Sequence, residues 1–248
     1  MENVLQTFDS ISLQEMDRVM LFDRYDQKFL LRGSMLADLL QFLTADYFVL
    51  EVKKTRIHTY HTLYFDTQDF QHYLNHHNQR KSRYKFRHRI YVESDLHFFE
   101  IKEKNNKERT VKSRVQVKDK QASLGQASLQ LIDEIAGCDG SKMEAKLWTN
   151  FHRITLVHKY KQERMTIDMN MVVEDRTNMA EAKNLVILEL KQEKKTLGVP
   201  LVRKLVEQGF RPGAMSKYVY GVTQLYPENK HNLFLPTQRT ITKIKNAS

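Results

Sequence analysis

The 248-residue sequence contains few of the residues that interrupt or cross-link a chain: one cysteine, eight glycines and four prolines. Average usage in this length gives roughly 17 glycines and 12 prolines, so the scarcity excludes linker-rich, low-complexity and collagen-like chains. A single cysteine, Cys138, excludes an intrachain disulfide and a cysteine-rich zinc site. No run approaches the roughly 18 apolar residues of a membrane span, and the first residues lack the apolar core of a signal peptide. We therefore expect a folded, cytoplasmic protein without a membrane span.

Positive charge is in excess, since 40 Lys and Arg residues against 30 Asp and Glu residues give a formal net charge of +10. Such an excess indicates an anionic partner, and composition alone leaves open nucleic acid, an anionic membrane surface or a phosphorylated small molecule. The apolar fraction of 41% is ample for a folded core. The placement of the charges along the chain carries the further information.

Charged and apolar residues alternate along three consecutive segments, residues 82–92, 97–104 and 111–118. The charged positions of these segments include Arg83, Lys85, Arg87, Arg89, Glu100, Lys102, Lys112 and Arg114. Aromatic and aliphatic residues occupy most of the positions between them. A period of two places the two sets on opposite faces of a strand. Each segment is therefore predicted to be a strand with one cationic and one apolar face.

Five further runs are predicted as strands: residues 24–31, 57–66, 151–158, 164–173 and 186–191. For any one strand, an open antiparallel sheet with its polar face in water is the simplest interpretation. Many cationic faces on one open sheet would repel across strands about 5 Å apart, whereas in a closed barrel they line a tunnel that a polyanion can fill. The sequence thus predicts an α+β fold, a closed antiparallel eight-stranded β-barrel tunnel with helices packed on the outside.

Helical periodicity lies between the strands, at residues 34–43, 68–77, 123–136, 200–208 and 215–225. No linker or repeat divides the chain, so residues 1–226 are predicted to form a single domain. Residues 227–248 are predicted to be a basic, loosely ordered tail. The helix at 68–77 carries three histidines, predicted to be solvated, with metal ligation as the alternative: His72, His76 and His77.

Short motifs follow one another in a set order: Arg24–Phe29, Tyr64–Thr67, Arg87–Tyr91, Glu100–Lys102, Lys112–Arg114, Thr166–Asp168, Leu188–Lys191 and Ser216–Tyr218. From about residue 20 to 226, this ordered set resembles the VTC (vacuolar transporter chaperone) polyphosphate polymerase domain, a branch of the CYTH-like triphosphate tunnel metalloenzymes. The resemblance implies a closed eight-stranded tunnel. It also implies transfer of the terminal phosphoryl group of ATP onto a growing polyphosphate chain, with Mn²⁺ or Mg²⁺ bound.

The same resemblance assigns roles to individual residues. The catalytic cations would be Lys28, Arg87, Arg89, Lys102, Lys112, Arg153 and Arg164. The phosphate-binding residues would be Arg114, Lys191, Ser216 and Lys217. Glu189 would bind the metal. The chemistry of the site adds Glu100 as a second metal ligand, for which orienting Lys102 is the alternative. Asp168 is expected to accept hydrogen bonds from tunnel arginines, with metal binding as the alternative. These residue types suit phosphoryl transfer, because guanidinium groups grip phosphate oxygens bidentately and ammonium groups supply point charges.

Two other functions stay open at this level. A triphosphatase would use the same tunnel with water as the nucleophile, and a non-catalytic module would only bind a polyanion. Carboxylates among the cations disfavour a nucleic-acid surface, because they repel phosphates unless a metal lies between. Tyr84 and Phe86 fall on the apolar face, where they could not stack on bases. The predicted partners are therefore ATP and polyphosphate, with no specific nucleic acid.

Overall fold

A computed structural model of the chain describes residues 1–18, 25–106, 110–118, 123–193 and 199–246. Arg24, the first residue of the first motif, lies outside the described residues. The helices are α1 (Glu2–Leu5), α2 (Leu13–Arg18), α3 (Leu36–Leu43), α4 (Gln71–His77), α5 (Gln126–Ala136), α6 (Pro200–Glu207), α7 (Lys217–Leu225) and α8 (Leu235–Lys245). Within the described ranges, no helix combines the length and the apolar character needed to traverse a bilayer.

One sheet of eleven strands organises the structure. The strands are β1 (Ser10–Ile11), β2 (Tyr25–Arg32), β3 (Tyr47–Leu50), β4 (His58–Thr67), β5 (Arg83–Tyr91), β6 (Leu96–Lys104), β7 (Thr110–Gln116), β8 (Met143–His158), β9 (Glu163–Glu174), β10 (Met179–Glu181) and β11 (Leu185–Gln192). Eight of them follow the order β2-β11-β9-β8-β4-β5-β6-β7, and each neighbouring pair is antiparallel. These eight are the predicted strands, and β8 begins at Met143 rather than near Phe151.

The predicted closed eight-stranded barrel is not confirmed. Three short strands, β1, β3 and β10, join the sheet outside the main order. The order has two ends, β2 and β7, and no pairing links them among the residues that the structure describes. The sheet nevertheless curls, because side chains from all eight strands of the main order line one cavity. The alternating charges correctly predict this shared inner face. The period of two fixes the face on which each side chain lies, but it does not determine whether the first and last strands of the sheet pair.

Helices cover the apolar outer face of the sheet and form the core with it. Leu36, Leu39, Leu40 and Leu43 of α3 pack with residues of α6 against β2, β9 and β11. Helices α4, α7 and α8 cover a second region around β4 and β8, and Ile132 of α5 packs on Phe86 and Phe99. Phe86 and Phe99 are 0% and 1% exposed, as expected for the apolar positions of alternating strands.

The C-terminal segment is ordered, contrary to the predicted loose tail. Ile241 and Ile244 of α8 are buried at 3% and 5% exposure, and the helix contacts β2 and β11. The same segment covers α4, where His77 Nε2 lies 2.7 Å from Asn232 Oδ1 and the His77 ring meets Phe234. The prediction of solvated histidines is therefore wrong for His77 and for His72, both of which are buried. The sequence does contain a signal for the packed helix α8, because Ile241 and Ile244 are spaced three positions apart, as on one face of a helix.

Candidate phosphate site

The inner face of the sheet surrounds a cavity of about 530 Å³. Lining residues from the predicted set are Lys28, Arg87, Arg89, Lys102, Lys112, Arg114, Arg153, Arg164, Glu189, Lys191, Ser216 and Lys217. Glu100 is fully buried and lies behind Arg87, Arg89 and Lys112, with its oxygens 2.5–3.8 Å from their side-chain nitrogens. The structure thus brings together residues that lie up to 189 positions apart in the sequence.

Three lysines lie side by side across neighbouring strands. Lys85 of β5 is the direct partner of Lys102 in β6, and Lys102 is the direct partner of Lys112 in β7. We refer to Lys85, Lys102 and Lys112 as the lysine row. Among the described residues, Lys85 and Lys102 have no carboxylate within ion-pair distance, whereas Lys112 meets Glu100. Like charges directly opposite on a sheet are destabilising, so a bound anion would stabilise the row.

The lysine row has perturbed protonation. Burial and the charge of Lys28 lower the pKa of Lys102 to about 7. Burial lowers the pKa of Lys112 to about 8, although Glu100 opposes the shift. Burial, followed by the charges of Lys102 and Lys28, lowers the pKa of Lys85 well below its usual range. Without a ligand, pH 7 is thus close to the pKa of Lys102 and about one unit below that of Lys112, and a bound phosphate would raise both pKa values.

Glu100 holds the neighbouring cations in place. Its Oε2 accepts hydrogen bonds from Arg87 Nε at 2.8 Å and pairs with Arg87 Nη2 at 2.6 Å, and Oε1 lies 2.5 Å from Lys112 Nζ. Burial would raise the pKa of Glu100, but the charges of Arg87, Arg89 and Lys112 outweigh it and hold the pKa far below its usual range. Both oxygens already face cations and no part of the side chain is exposed. Metal binding by Glu100 stays a prediction, and the structure gives this carboxylate the different task of orienting Arg87 and Lys112.

Asp168 forms a second buried clamp. Its two oxygens accept hydrogen bonds from Arg153 Nε and Nη2 at 2.5 and 2.8 Å, and Oδ2 also meets Lys217 Nζ. Burial would raise the pKa of Asp168, but Arg153 and Lys217 keep it far below its usual range. The prediction that Asp168 accepts hydrogen bonds from a cavity arginine is confirmed. Because Asp168 fixes the guanidinium group of Arg153, the remaining N–H groups of Arg153 point in a defined direction.

Glu189 lines the cavity, as Glu93 and Asp168 do. Its Oε2 lies 2.5 Å from Lys191 Nζ, and its Oε1 lies 3.7 Å from Lys28 Nζ. Burial would raise the pKa of Glu189, but Lys191 and Lys28 hold it well below its usual range, so the group is ionised. In the described part of the chain, no three His, Cys, Asp or Glu residues come together as a metal cage. One ionised carboxylate fits a divalent cation that takes its other ligands from phosphate oxygens and water.

The start of α7 brings Ser216 and Lys217 to the cavity. Ser216 is the N-cap residue, and its Oγ accepts a hydrogen bond from Val219 N at 3.4 Å. Two residues later, the Tyr218 hydroxyl donates to Asp66 Oδ2 at 2.5 Å. The helix lies close to β8, since a Cβ on Gly221 would come within 2.8 Å of the Leu147 side chain. The hydroxyl of Ser216 is thus a helix cap that also lines the cavity.

Several cavity residues escaped the sequence assignment, among them Lys85, Tyr60 and Tyr64. Lys85 lies at an alternating position between Arg83 and Arg87, so its charged face was predicted but its role in the site was not. Tyr60 and Tyr64 also line the cavity, where Arg153 lies 4.8 Å from the Tyr60 ring centroid. Their signal in the sequence is weak, because an aromatic residue at an alternating position fits an apolar face equally well.

Comparisons with known proteins agree with this geometry. The family model of the VTC domain matches residues 23–226. A candidate adenylate cyclase from Bacillus halodurans has a similar structure, with a TM-score of 0.54 at 11% identity over 82% of this chain and 97% of that one. A candidate adenylyl cyclase from Hippeastrum, described as having a dominant triphosphatase activity, gives a TM-score of 0.45 at 13% identity over 83% of this chain and 99% of that one. No curated protein matches the sequence.

The family match covers most of the chain and includes every residue of the predicted site. The similarity to the Bacillus halodurans structure shows that the two chains share a fold. The chain therefore belongs to the VTC domain family.

Proposed function

We propose that the protein is an ATP-dependent polyphosphate polymerase, which transfers the terminal phosphoryl group of ATP onto a growing polyphosphate chain. The observation that carries the proposal is the lysine row, in which Lys85 and Lys102 face the cavity without a carboxylate partner among the described residues. Unpaired buried charge is costly, so a cavity with this lining favours a ligand of high negative charge density. A phosphate chain has this property along its whole length.

The clamped arginines suit the transfer itself. Arg87 and Arg153 are each held by a buried carboxylate, Glu100 and Asp168, and both line the cavity. In the proposed reaction, an oxygen of the chain-end phosphate attacks the terminal phosphorus of ATP, the bond to the bridging oxygen breaks, and ADP leaves. Donors that are already oriented stabilise the charge on the transferring group without reorganising. A chain-end phosphate is anionic at neutral pH, so the reaction needs no protein base.

Glu189, with Lys28 and Lys191 beside it, is the residue that would hold Mn²⁺ or Mg²⁺. A divalent cation held there would neutralise part of the charge on the bound phosphate. Lys191 contributes in its own right, because its ammonium group is fixed 2.5 Å from Glu189 Oε2 and lines the cavity. The lysine thus orients the carboxylate and offers a further contact to phosphate.

Incubation of the purified protein with ATP and Mn²⁺, followed by gel electrophoresis, tests the proposal. We expect a ladder of long polyphosphate, and we expect Arg89→Ala to reduce it strongly. Lys183→Met is the matched control, because Lys183 is 75% exposed and lies outside the cavity. Release of free phosphate alone would contradict the polymerase function and support a triphosphatase. The absence of turnover, together with tight and salt-sensitive RNA binding, would contradict both enzymatic functions and support a binding module.

A further inference from the structure

Two consecutive residues at the start of α7 meet different parts of the sheet. Lys217 lines the cavity, where its Nζ contacts Asp168 of β9. Tyr218 is not part of the cavity wall, is 1% exposed and donates its hydroxyl proton to Asp66 Oδ2 of β4 at 2.5 Å. Neighbouring residues of a helix are about 100° apart around its axis, so fixing one side chain fixes the direction of the next. The contact between Tyr218 and Asp66 therefore holds the helical turn that carries Lys217.

Asp66 is a fixed anchor for this turn. It is 0% exposed, and its carboxylate accepts hydrogen bonds from the backbone N–H groups of Thr67, His72 and Tyr73 at 2.8–2.9 Å. These three partners belong to β4 and α4, so the carboxylate is held in place whether or not α7 moves. Burial and the Asp66 carboxylate raise the pKa of Tyr218 well above its usual range. The Tyr218 hydroxyl therefore keeps its proton and remains the donor in this contact.

The ring of Tyr218 is held independently of its hydroxyl. It stacks on the ring of Tyr64, with the two centroids 4.9 Å apart. A phenylalanine in place of Tyr218 would keep this contact and lose only the hydrogen bond to Asp66. Two of the sequence motifs, Tyr64–Thr67 and Ser216–Tyr218, thus meet in one buried hydrogen bond that can be removed without removing the packing around it.

We propose that Tyr218 is a positioning residue for phosphate binding, because its hydrogen bond to Asp66 holds Lys217 in the direction of a bound phosphate. This inference rests on the proposed function and adds to it a residue that acts on the ligand only through its neighbour. Lys217 depends on such support, since its side chain is only 13% exposed, lies 4.3 Å from the Phe151 ring centroid and has Asp168 as its carboxylate. A shift of the first turn of α7 would take the ammonium group away from this carboxylate and from the ligand.

Calorimetric titration of the full chain with tripolyphosphate tests the assignment, because binding can be measured whether or not the protein polymerises phosphate. We expect Tyr218→Phe to weaken binding about three- to tenfold, which is part of the contribution of one charge-assisted contact. In a Lys217→Met background, the same substitution should weaken binding by less than about 1.5-fold, because the side chain that Tyr218 positions is gone. A general loss of stability would instead weaken binding equally in both backgrounds.

Tyr73→Phe is the matched control. Tyr73 is 0% exposed, lies edge-on to the Tyr218 ring with centroids 6.4 Å apart, and donates its hydroxyl proton to the backbone oxygen of Lys230 at 3.0 Å. This variant therefore removes one buried hydroxyl group from the same part of the core without changing the start of α7. It should lower the Tm, as Tyr218→Phe does, and leave the affinity for tripolyphosphate unchanged.

An equal loss in the wild-type and Lys217→Met backgrounds, an equal loss in Tyr73→Phe, or no loss at all would overturn the assignment. If Tyr218→Phe does not fold, Asp66→Asn decides the question, because its amide can still bond to the Tyr218 oxygen but without the charge. That variant should weaken binding about two- to fivefold in the wild-type background only, and an unchanged affinity would overturn the assignment. Failure of the polymerase proposal gives a different result, in which these affinities are measured but no polymer forms. A wild-type chain that binds no tripolyphosphate would overturn both proposals.

Discussion

Replacement of Lys85 by methionine should stabilise the ligand-free protein and weaken its affinity for phosphate. Lys85 and Lys102 are direct cross-strand partners, a position in which side chains are about 5 Å apart. At an effective dielectric constant of about 20, two unit charges at this distance repel by about 3 kcal/mol. Water in the cavity and partial deprotonation reduce the value, because the pKa of Lys102 is lowered to about 7. We therefore expect a gain of about 1–2 kcal/mol at pH 6.

Thermal unfolding measures the first effect and calorimetry the second. For a chain of this length, the gain corresponds to a rise in Tm of about 2–8 °C at pH 6. The rise should shrink towards pH 9, because the wild-type lysines then lose the protons that cause the repulsion. Loss of one charge-assisted contact, about 1.5–3 kcal/mol, should reduce tripolyphosphate affinity by about 10- to 150-fold. Lys183→Met should change neither quantity, since Lys183 lies outside the cavity.

The opposite result would refute the reasoning. A lower Tm for Lys85→Met at pH 6, with unchanged affinity for tripolyphosphate, would mean that Lys85 supports the fold and does not meet a ligand. The lysine row would then be a structural feature, and the observation that carries the proposed function would be lost.

Other predictions address the clamps and the protonation of the cavity. Asp168→Asn should destabilise the fold by about 3–5 kcal/mol in urea denaturation, because it leaves Arg153 and Lys217 buried without their carboxylate; a change below about 0.5 kcal/mol would contradict the clamp. Ligand-free stability should rise between about pH 7 and 9, since the pKa of Lys102 is lowered to about 7 and the unfolded state binds more protons there; a Tm independent of pH would contradict this. Arg89→Ala should raise the activation barrier by about 2–4 kcal/mol in steady-state kinetics, and unchanged turnover would remove this strand from the site.

The face of each strand could be predicted from the sequence, because side chains alternate with a period of two whatever the tertiary context. Arg87 and Arg89 were placed on the cavity face and Phe86 on the apolar face, and the structure agrees. Closure of the sheet could not be predicted in the same way. It depends on whether β2 and β7 reach each other, and no local pattern encodes that distance.

The predicted site was also limited by what a residue type alone conveys. Glu100 and Glu189 carry the same carboxylate, but one is fully enclosed by cations while the other lines the cavity. Only the pairing of β5, β6 and β7 places Glu100 behind Arg87 and Lys112.

The most direct test of the account is a crystal structure of the protein with tripolyphosphate. We predict phosphate density inside the cavity, within hydrogen-bond distance of Lys85 and Lys102 and of the arginines that Glu100 and Asp168 hold. An empty cavity, with phosphate bound instead to the basic outer surface of α8, would contradict the central claim that the inner face of the sheet is a phosphate site.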